Sequence, residues 1–183
     1  TTVNISNGTI TWSTSFNFTK NKNEIVELLG GKVDLPGNKW FIGQPINVNY
    51  TYVFDGIWQE SERELAKEYG QLPGQARVKD FGAKGITAEE DRQIIGTSMP
   101  SWTGGISTSV TVKGFDFAAS LYTRQGVQVY SPFHEEFLNF DDRGRQKLNV
   151  DWYMAKNDVT PERSSNQYPQ PKNFGPYWRT NAG

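Results

Sequence analysis

The stretch Ile10-Thr11-Trp12-Ser13-Thr14-Ser15-Phe16-Asn17-Phe18-Thr19 decides how this chain is read. Ile10, Trp12, Phe16 and Phe18 fall on one face of an extended segment, and Thr11, Ser13, Ser15, Asn17 and Thr19 on the other, because side chains alternate across a strand. The period of two specifies a β-strand with one greasy and one polar face. The pattern returns in Ile46-Asn47-Val48-Asn49-Tyr50-Thr51-Tyr52-Val53-Phe54. Both runs match the about 9–11 residues that a tilted strand needs to cross a bilayer. Two further runs, Ile106 to Val112 and Phe115 to Thr123, are joined across Lys113-Gly114, where glycine supplies the positive φ of a tight hairpin.

Two helical signals lie between these strands. Ser61 with Glu64 three residues on has capping-box spacing, the segment runs through Leu65 and Ala66, and Gly70 closes it. Thr87 with Glu90 repeats the device and ends at Gly96. Both segments are too short and polar for a bundle, so they decorate a β scaffold. From Tyr130 onwards the chain carries Pro132, Pro161, Pro169, Pro171 and Pro176, the cluster Asp141-Asp142-Arg143-Gly144-Arg145, and one candidate strand from Gln146 to Tyr153. A tail of that kind is a functional loop or a disordered segment. The closing Tyr177-Trp178-Arg179-Thr180-Asn181-Ala182-Gly183 reads as a chain that continues.

Of 183 residues, 36% are hydrophobic and 14% aromatic, more ring than a chain of mean hydropathy −0.65 needs for an ordinary core. The rings are therefore expected to serve a surface as well. The 19 basic and 20 acidic residues nearly cancel, which argues against nucleic acid as a partner and leaves no polybasic anchor for lipid headgroups. Cysteine is absent, which removes disulfides, thiolate metal sites and cysteine nucleophiles. No basic n-region or apolar h-region opens the chain, so any signal peptide is expected to have been removed or to lie outside this stretch. Nothing approaches the about 20 consecutive apolar residues of a transmembrane helix, whereas transmembrane strands alternate and barely register on hydropathy.

The order of short motifs carries a resemblance. Trp12 to Phe18 with Asn21-Lys22-Asn23, then Phe41-Ile42-Gly43-Gln44-Pro45, then Tyr52-Val53-Phe54-Asp55-Gly56-Ile57-Trp58-Gln59 resembles the later barrel region of SusC/RagA-type TonB-linked outer-membrane transporters. The likeness continues through Tyr69-Gly70-Gln71-Leu72-Pro73-Gly74, Lys79-Asp80, Ile86 to Arg92, Ile95-Gly96, Pro100 and Lys113-Gly114-Phe115-Asp116, and extends to Tyr130. Single words of this kind are common by chance; the ordered set is specific.

The resemblance implies an all-β fold, an antiparallel transmembrane β-barrel segment with long extracellular loops and one or two short helices, from a barrel on the order of 22 strands with a plugged lumen. Residues 1–183 would be a partial barrel region, with strands and loops in 1–129 and a long extracellular loop region in 130–183. The plug and the TonB-contacting segment would not be included. The family's activity is transport, not catalysis, in the outer membrane of Gram-negative bacteria: import of oligosaccharides or peptides, powered through TonB and capped by a SusD-like surface lipoprotein. Lys113-Gly114 would be a periplasmic turn. Four or five strands leave two open edges, so either more chain than this stretch or partner strands would complete the sheet. The rival reading is a soluble carbohydrate-binding or adhesion β-sandwich, whose strands alternate in the same way and which periodicity alone favours. The ordered motifs reverse that preference.

Trp58, Trp102, Tyr122, Tyr130 and Trp152 are the candidate ligand-binding rings, since flat aromatic faces suit sugars and planar peptide groups. The competing role for each is a lipid-facing or loop-bracing ring. Asp80 to Asp91 stands where the family often carries an EF-hand-like calcium loop. It keeps Asp80, Gly85 and Asp91 but places Gly82 and Lys84 at ligand positions, so the expectation is a capped turn with no metal or other cofactor. His134, the single histidine, stands beside Glu135 and Glu136 and lacks the constellation of a triad or metal site. Asp141-Asp142, flanked by arginines, reads as a salt-bridged turn and not as a glycosidase pair.

Overall fold

The computed structural model describes residues 2–129, 131, 150–155, 164–171 and 173–178. In chain order the elements are β1 (Thr2–Ser6), β2 (Ile10–Thr19), β3 (Val48–Tyr52), β4 (Phe54–Ile57), the short helix α1 (Arg63–Glu68), β5 (Ala76–Val78), β6 (Arg92–Thr97), β7 (Trp102–Val112) and β8 (Phe115–Gln125). The described fold is all-β and mostly antiparallel, as expected. It divides into two units, residues 1–49 with 96–128, and residues 50–95 with 129–183. A two-stranded ribbon pairs β3 with β6.

The first unit is built on a four-stranded antiparallel sheet in the order β1-β2-β7-β8. Two hairpins meet where β2 pairs with β7, from Ile10↔Val112 to Thr19↔Thr103. The first hairpin closes on Asn7, whose Oδ1 accepts the amides of Thr9 at 3.2 Å and Ile10 at 2.8 Å. The second closes on Lys113 at φ 46° and Gly114 at φ 84°, two successive left-handed residues matching the twist of the flanking strands. β7 and β8 are 11 residues each and outrun the alternating stretches in the sequence, because Gly104 and Gly105 interrupt the pattern at the start of β7.

Register sorts the side chains. Ile5, Trp12, Val110 and Phe117 stand in one row, Phe16, Ile106 and Leu121 in another, Ile10, Val112 and Phe115 in a third, all on one face. Ser13, Ser109 and Ala118, then Ser15, Ser107 and Ser120, then Thr11, Thr111 and Asp116 make the other face. The apolar face is not a core: Phe16, Phe18, Phe117 and Leu121 are each more than half exposed. In a β-sandwich those side chains would be interdigitated with a second sheet.

The second unit carries a true core of Ile57, Ala76, Tyr153 and Trp178, with Phe54, Val150, Ala155, Tyr168 and Phe174 packed against it. β4 pairs with β5 through a bulge at Asp55. Gly56 follows at φ 104°, where a Cβ would collide with the Asn166 carboxamide, and Asn166 Oδ1 accepts the Ile57 amide at 2.9 Å. The described parts of the Pro-rich tail are thus tied down. The Ala76 amide donates to Phe174 O at 3.0 Å, the Gln170 amide to Gly74 O at 2.8 Å, and Gln59 Nε2 to Ser165 O at 3.1 Å. Of the candidate strand 146–153, residues 146–149 lie outside the described residues, and Trp152 forms a single bridge to Tyr168.

Three local expectations are corrected. Ile46 to Phe54 is not one strand: the chain pairs as β3 with β6, then changes partner after Val53 and pairs as β4 with β5. Alternation reports which residues share a face and is blind to a change of partner. Thr87 to Gly96 is not a helix. Thr87 Oγ1 accepts the Glu90 amide at 3.2 Å and the Asp91 amide reaches Thr87 O at 3.2 Å, which completes one turn, and Arg92–Thr97 then extends as β6. The β-branched pair Ile94-Ile95 suits that extended state. α1 does form and ends as expected on Gly70 at φ 66°, with the Gln71 amide on Ala66 O at 2.9 Å and the Gly70 amide on Lys67 O at 3.0 Å. Its start moves, however: the Gln59 amide donates to the Glu62 carboxylate at 3.0 Å, in place of the Ser61 and Glu64 pairing.

Candidate functional site

On the apolar face of the sheet, Thr14, Thr108 and the indole N–H of Trp12 are polar intrusions. Each is satisfied inside the sheet. Trp12 Nε1 donates to Thr108 Oγ1 at 2.9 Å, the Thr14 and Thr108 hydroxyls are 3.0 Å apart, and Thr108 donates to Ser13 O at 3.3 Å. At the far end Gln125 Nε2 donates to Thr123 Oγ1 at 2.6 Å. A surface in hydrocarbon has no water to complete hydrogen bonds, so internal satisfaction is what such a face requires. The opposite face is a hydroxyl ladder, with Ser13 and Ser109 oxygens 2.7 Å apart, Ser107 and Ser120 3.0 Å apart, and the Thr111 hydroxyl on Asp116 Oδ1 at 2.6 Å.

The candidate rings do not converge. Trp102, in register with Gln125, stands at the strand end of the apolar face, its ring centroid 5.5 Å from that of Phe18. Gly104 makes room for it, since a Cβ there would come within 3.0 Å of Trp102 Cζ3. Tyr122 stands on the polar face opposite Gly105, which in turn faces Asn17, and it is 65% exposed. Trp58, in the second unit, is only 3% exposed. Its indole N–H donates to Gln71 Oε1 at 2.9 Å, the Tyr69 ring lies 5.8 Å away, and the Arg77 guanidinium sits 5.0 Å over it. That ring braces the fold. Trp152 is half-buried beside the core residue Tyr153. Tyr130, His134, Glu135, Glu136, Asp141 and Asp142 lie outside the described residues.

Asp80 and Asp91 come together in one loop, and both carboxylates accept hydrogen bonds from the protein. Asp91, fully buried, accepts the amides of Phe81 at 2.7 Å and Thr87 at 2.6 Å. Asp80 Oδ2 accepts the Gly85 amide at 3.0 Å and the Tyr69 hydroxyl at 3.0 Å. The Ala83 amide donates to Glu90 at 3.2 Å, and the Lys84 ammonium pairs with Glu68. Among the described residues no group of three or more acidic or histidine side chains gathers as metal ligands. The hydrogen bond to Asp80, and secondly burial, hold the Tyr69 phenol above its ordinary pKa.

Two arginines were missed as site residues in the sequence reading. Arg77 joins Glu62 at 2.6 Å and the Asp55 carboxylate at 3.1 Å while covering Trp58, a junction that only the pairing of β4 with β5 creates. Arg124 enters the polar face because β8 runs on to Gln125. Counting the alternation two residues past Tyr122 finds it.

No family model matches the chain. It is 33% identical over 130 residues to TonB-dependent receptor P3 of Formosa agariphila and 26% identical over 141 residues to TonB-dependent receptor P26 of the same organism. These matches take in 62% and 71% of this chain but 13% and 14% of the two relatives, so the chain spans only a small part of their length. Over the matched stretch the chain is similar to TonB-dependent receptors, and that likeness supports placing it with them.

Proposed function

We propose that this chain is an interior stretch of the barrel wall of a SusC-type TonB-dependent transporter in a Gram-negative outer membrane. One observation carries the reading: the sheet β1-β2-β7-β8 leaves Trp12, Phe16, Phe18, Phe115, Phe117 and Leu121 exposed on one face while Trp12 Nε1, Thr14, Thr108 and the Gln125 amide on that face find hydrogen-bond partners within the sheet. In this reading the rings meet lipid and the hydroxyl ladder meets the aqueous lumen. The 10 and 11 residues of β2, β7 and β8 suit a tilted crossing, and Lys113-Gly114 is the periplasmic turn. The outer edges of β1 and β8 pair with further strands, because lipid tolerates no open edge. The nutrient is an oligosaccharide or a peptide received from a SusD-like lipoprotein, and TonB acts through sequence beyond this stretch. The chain's own share is surface, not chemistry.

Cysteine scanning of β8 in the full receptor chain, in outer-membrane vesicles, tests this. Ala118→Cys and Ser120→Cys are expected to react with a water-soluble maleimide, while Phe117→Cys, Ala119→Cys and Leu121→Cys are expected to be protected. Uniform reactivity along β8 would refute the two-solvent reading.

A further inference from the structure

The polar face of the sheet is nearly uncharged, and its exceptions are placed unevenly. Its described side chains are serine, threonine, asparagine and alanine, apart from Tyr122 and two charges. Asp116 lies beside the Lys113-Gly114 turn, already engaged by Thr111. Arg124 lies at the other end of β8, about 26 Å away at the ordinary rise of a strand. Among the described residues Arg124 pairs with no carboxylate. Tyr122 is two residues before it on the same face, so an exposed phenol ring and a guanidinium stand about 7 Å apart. Next to Tyr122 the neighbouring strand carries Gly105, and the Asn17 side chain lies over that glycine, where a Cβ would come 2.9 Å from Asn17 Nδ2.

We propose that Tyr122, Arg124 and Asn17 form a contact station for an anionic sugar, a uronate or a sulfate ester, near the end of the lumen opposite the Lys113-Gly114 turn. The inference rests on the transporter reading and names the substrate class within it. A pyranose lays its C–H face on an exposed phenol ring. An amide such as that of Asn17 both donates to and accepts from vicinal hydroxyls. The guanidinium meets a carboxylate or sulfate with two parallel hydrogen bonds. A peptide is the poorer fit, since this face offers neither an apolar pocket for side chains nor an unpaired strand edge between β2, β7 and β8. Among the described residues of this face Arg124 is the one cation and Asp116 lies at the opposite end of β8, so the face draws anions toward the Arg124 end of the conduit.

The test is equilibrium binding to the full receptor chain in detergent, with three probes of equal length: oligogalacturonate, a sulfated galactan oligosaccharide and a neutral malto-oligosaccharide. The wild type is expected to prefer at least one acidic probe, and the two acidic arms separate carboxylate from sulfate recognition. Arg124→Gln is expected to weaken the acidic probe on the order of tenfold and leave the neutral one unchanged, the loss of one charge-assisted contact. Tyr122→Ala is expected to weaken acidic and neutral probes alike. The station is overturned if the wild type binds neither acidic probe better than the neutral one, or if Arg124→Gln leaves acidic binding intact. Maleimide labelling of Ser120→Cys separates the two failures. If Ser120→Cys labels from water while Arg124→Gln is silent, the sugar station alone fails; if Ser120→Cys is protected, the lumen-facing assignment fails with it.

Discussion

Trp12 of β2 donates its indole N–H to the hydroxyl of Thr108 on β7 at 2.9 Å, which satisfies the one polar atom of that ring on the apolar face. Thr108 is the hub of that face, since it also meets the Thr14 hydroxyl and the Ser13 carbonyl. If the face lies in hydrocarbon, the hub matters more than its half-buried position suggests.

Thr108→Val keeps the shape and removes the hydroxyl. It is expected to cost about 1–3 kcal/mol, the usual penalty for stranding a donor away from water. Urea unfolding from lipid vesicles measures it, and in a Trp12→Phe background the same change is expected to cost clearly less. Equal costs in the two backgrounds would mean that the indole bond contributes nothing.

The Lys113-Gly114 turn places a non-glycine residue at φ 46° beside Gly114 at φ 84°. Gly114→Val is expected to slow assembly and to destabilise by about 1–2 kcal/mol, because a β-branched residue resists that region. Lys113→Asn is expected to stabilise by a few tenths of a kcal/mol, since asparagine tolerates it better. The heat-modifiable shift on electrophoresis of the folded chain reports both.

Asp91 is buried and its carboxylate accepts the Phe81 and Thr87 amides. Asp91→Ala strands both amides and is expected to destabilise the second unit by about 2–4 kcal/mol. Addition of calcium or of EDTA is expected to leave the melting temperature unchanged, because the carboxylates of Asp80 and Asp91 already accept protein hydrogen bonds and the Lys84 side chain at a ligand position of the loop is turned to Glu68. A calcium-dependent rise in melting temperature would show that the loop rearranges to bind the ion.

Tyr69 has its phenol pKa raised above the usual 10.0, chiefly by its hydrogen bond to Asp80. A pKa raised by folding stabilises the protein below the unfolded value, and the benefit is lost as pH climbs through the folded value. The Tyr69 contribution is therefore complete at neutral pH and disappears only in strong alkali, above pH 10.0. Ultraviolet titration of tyrosinate is expected to show Tyr69 among the late-ionising phenols of the wild type, and Asp80→Asn to move that phenol back toward the ordinary value.

Much of the first unit was legible from residue order. β2 occupies the stretch Ile10 to Thr19 that alternation marks out, and the β7–β8 turn falls on the glycine that marks it. Both are local consequences of side-chain period and backbone φ, which each residue carries with it. β1 was not legible, because five residues of Thr-Val-Asn-Ile-Ser show too short a period to separate from loop. The β3 to β4 break and the strand β6 were misread for a different reason: each depends on which partner is available, and after the single turn at Thr87 the chain extends as β6 to pair with β3.

The sequence by itself determined that this chain makes two-faced antiparallel strands, where the tight turn falls, and that its rings outnumber the needs of a core, since period, φ preference and composition are properties of the residues alone. Only the tertiary structure decided that the rings of β2, β7 and β8 stay exposed while Trp58 is enclosed, that Asp80 and Asp91 hold backbone amides, and that Tyr122 and Arg124 share the polar face with Asn17. Those outcomes depend on register across strands and on contacts between residues far apart in the chain, such as Ile57 and Asn166, 109 positions apart, which no local pattern encodes.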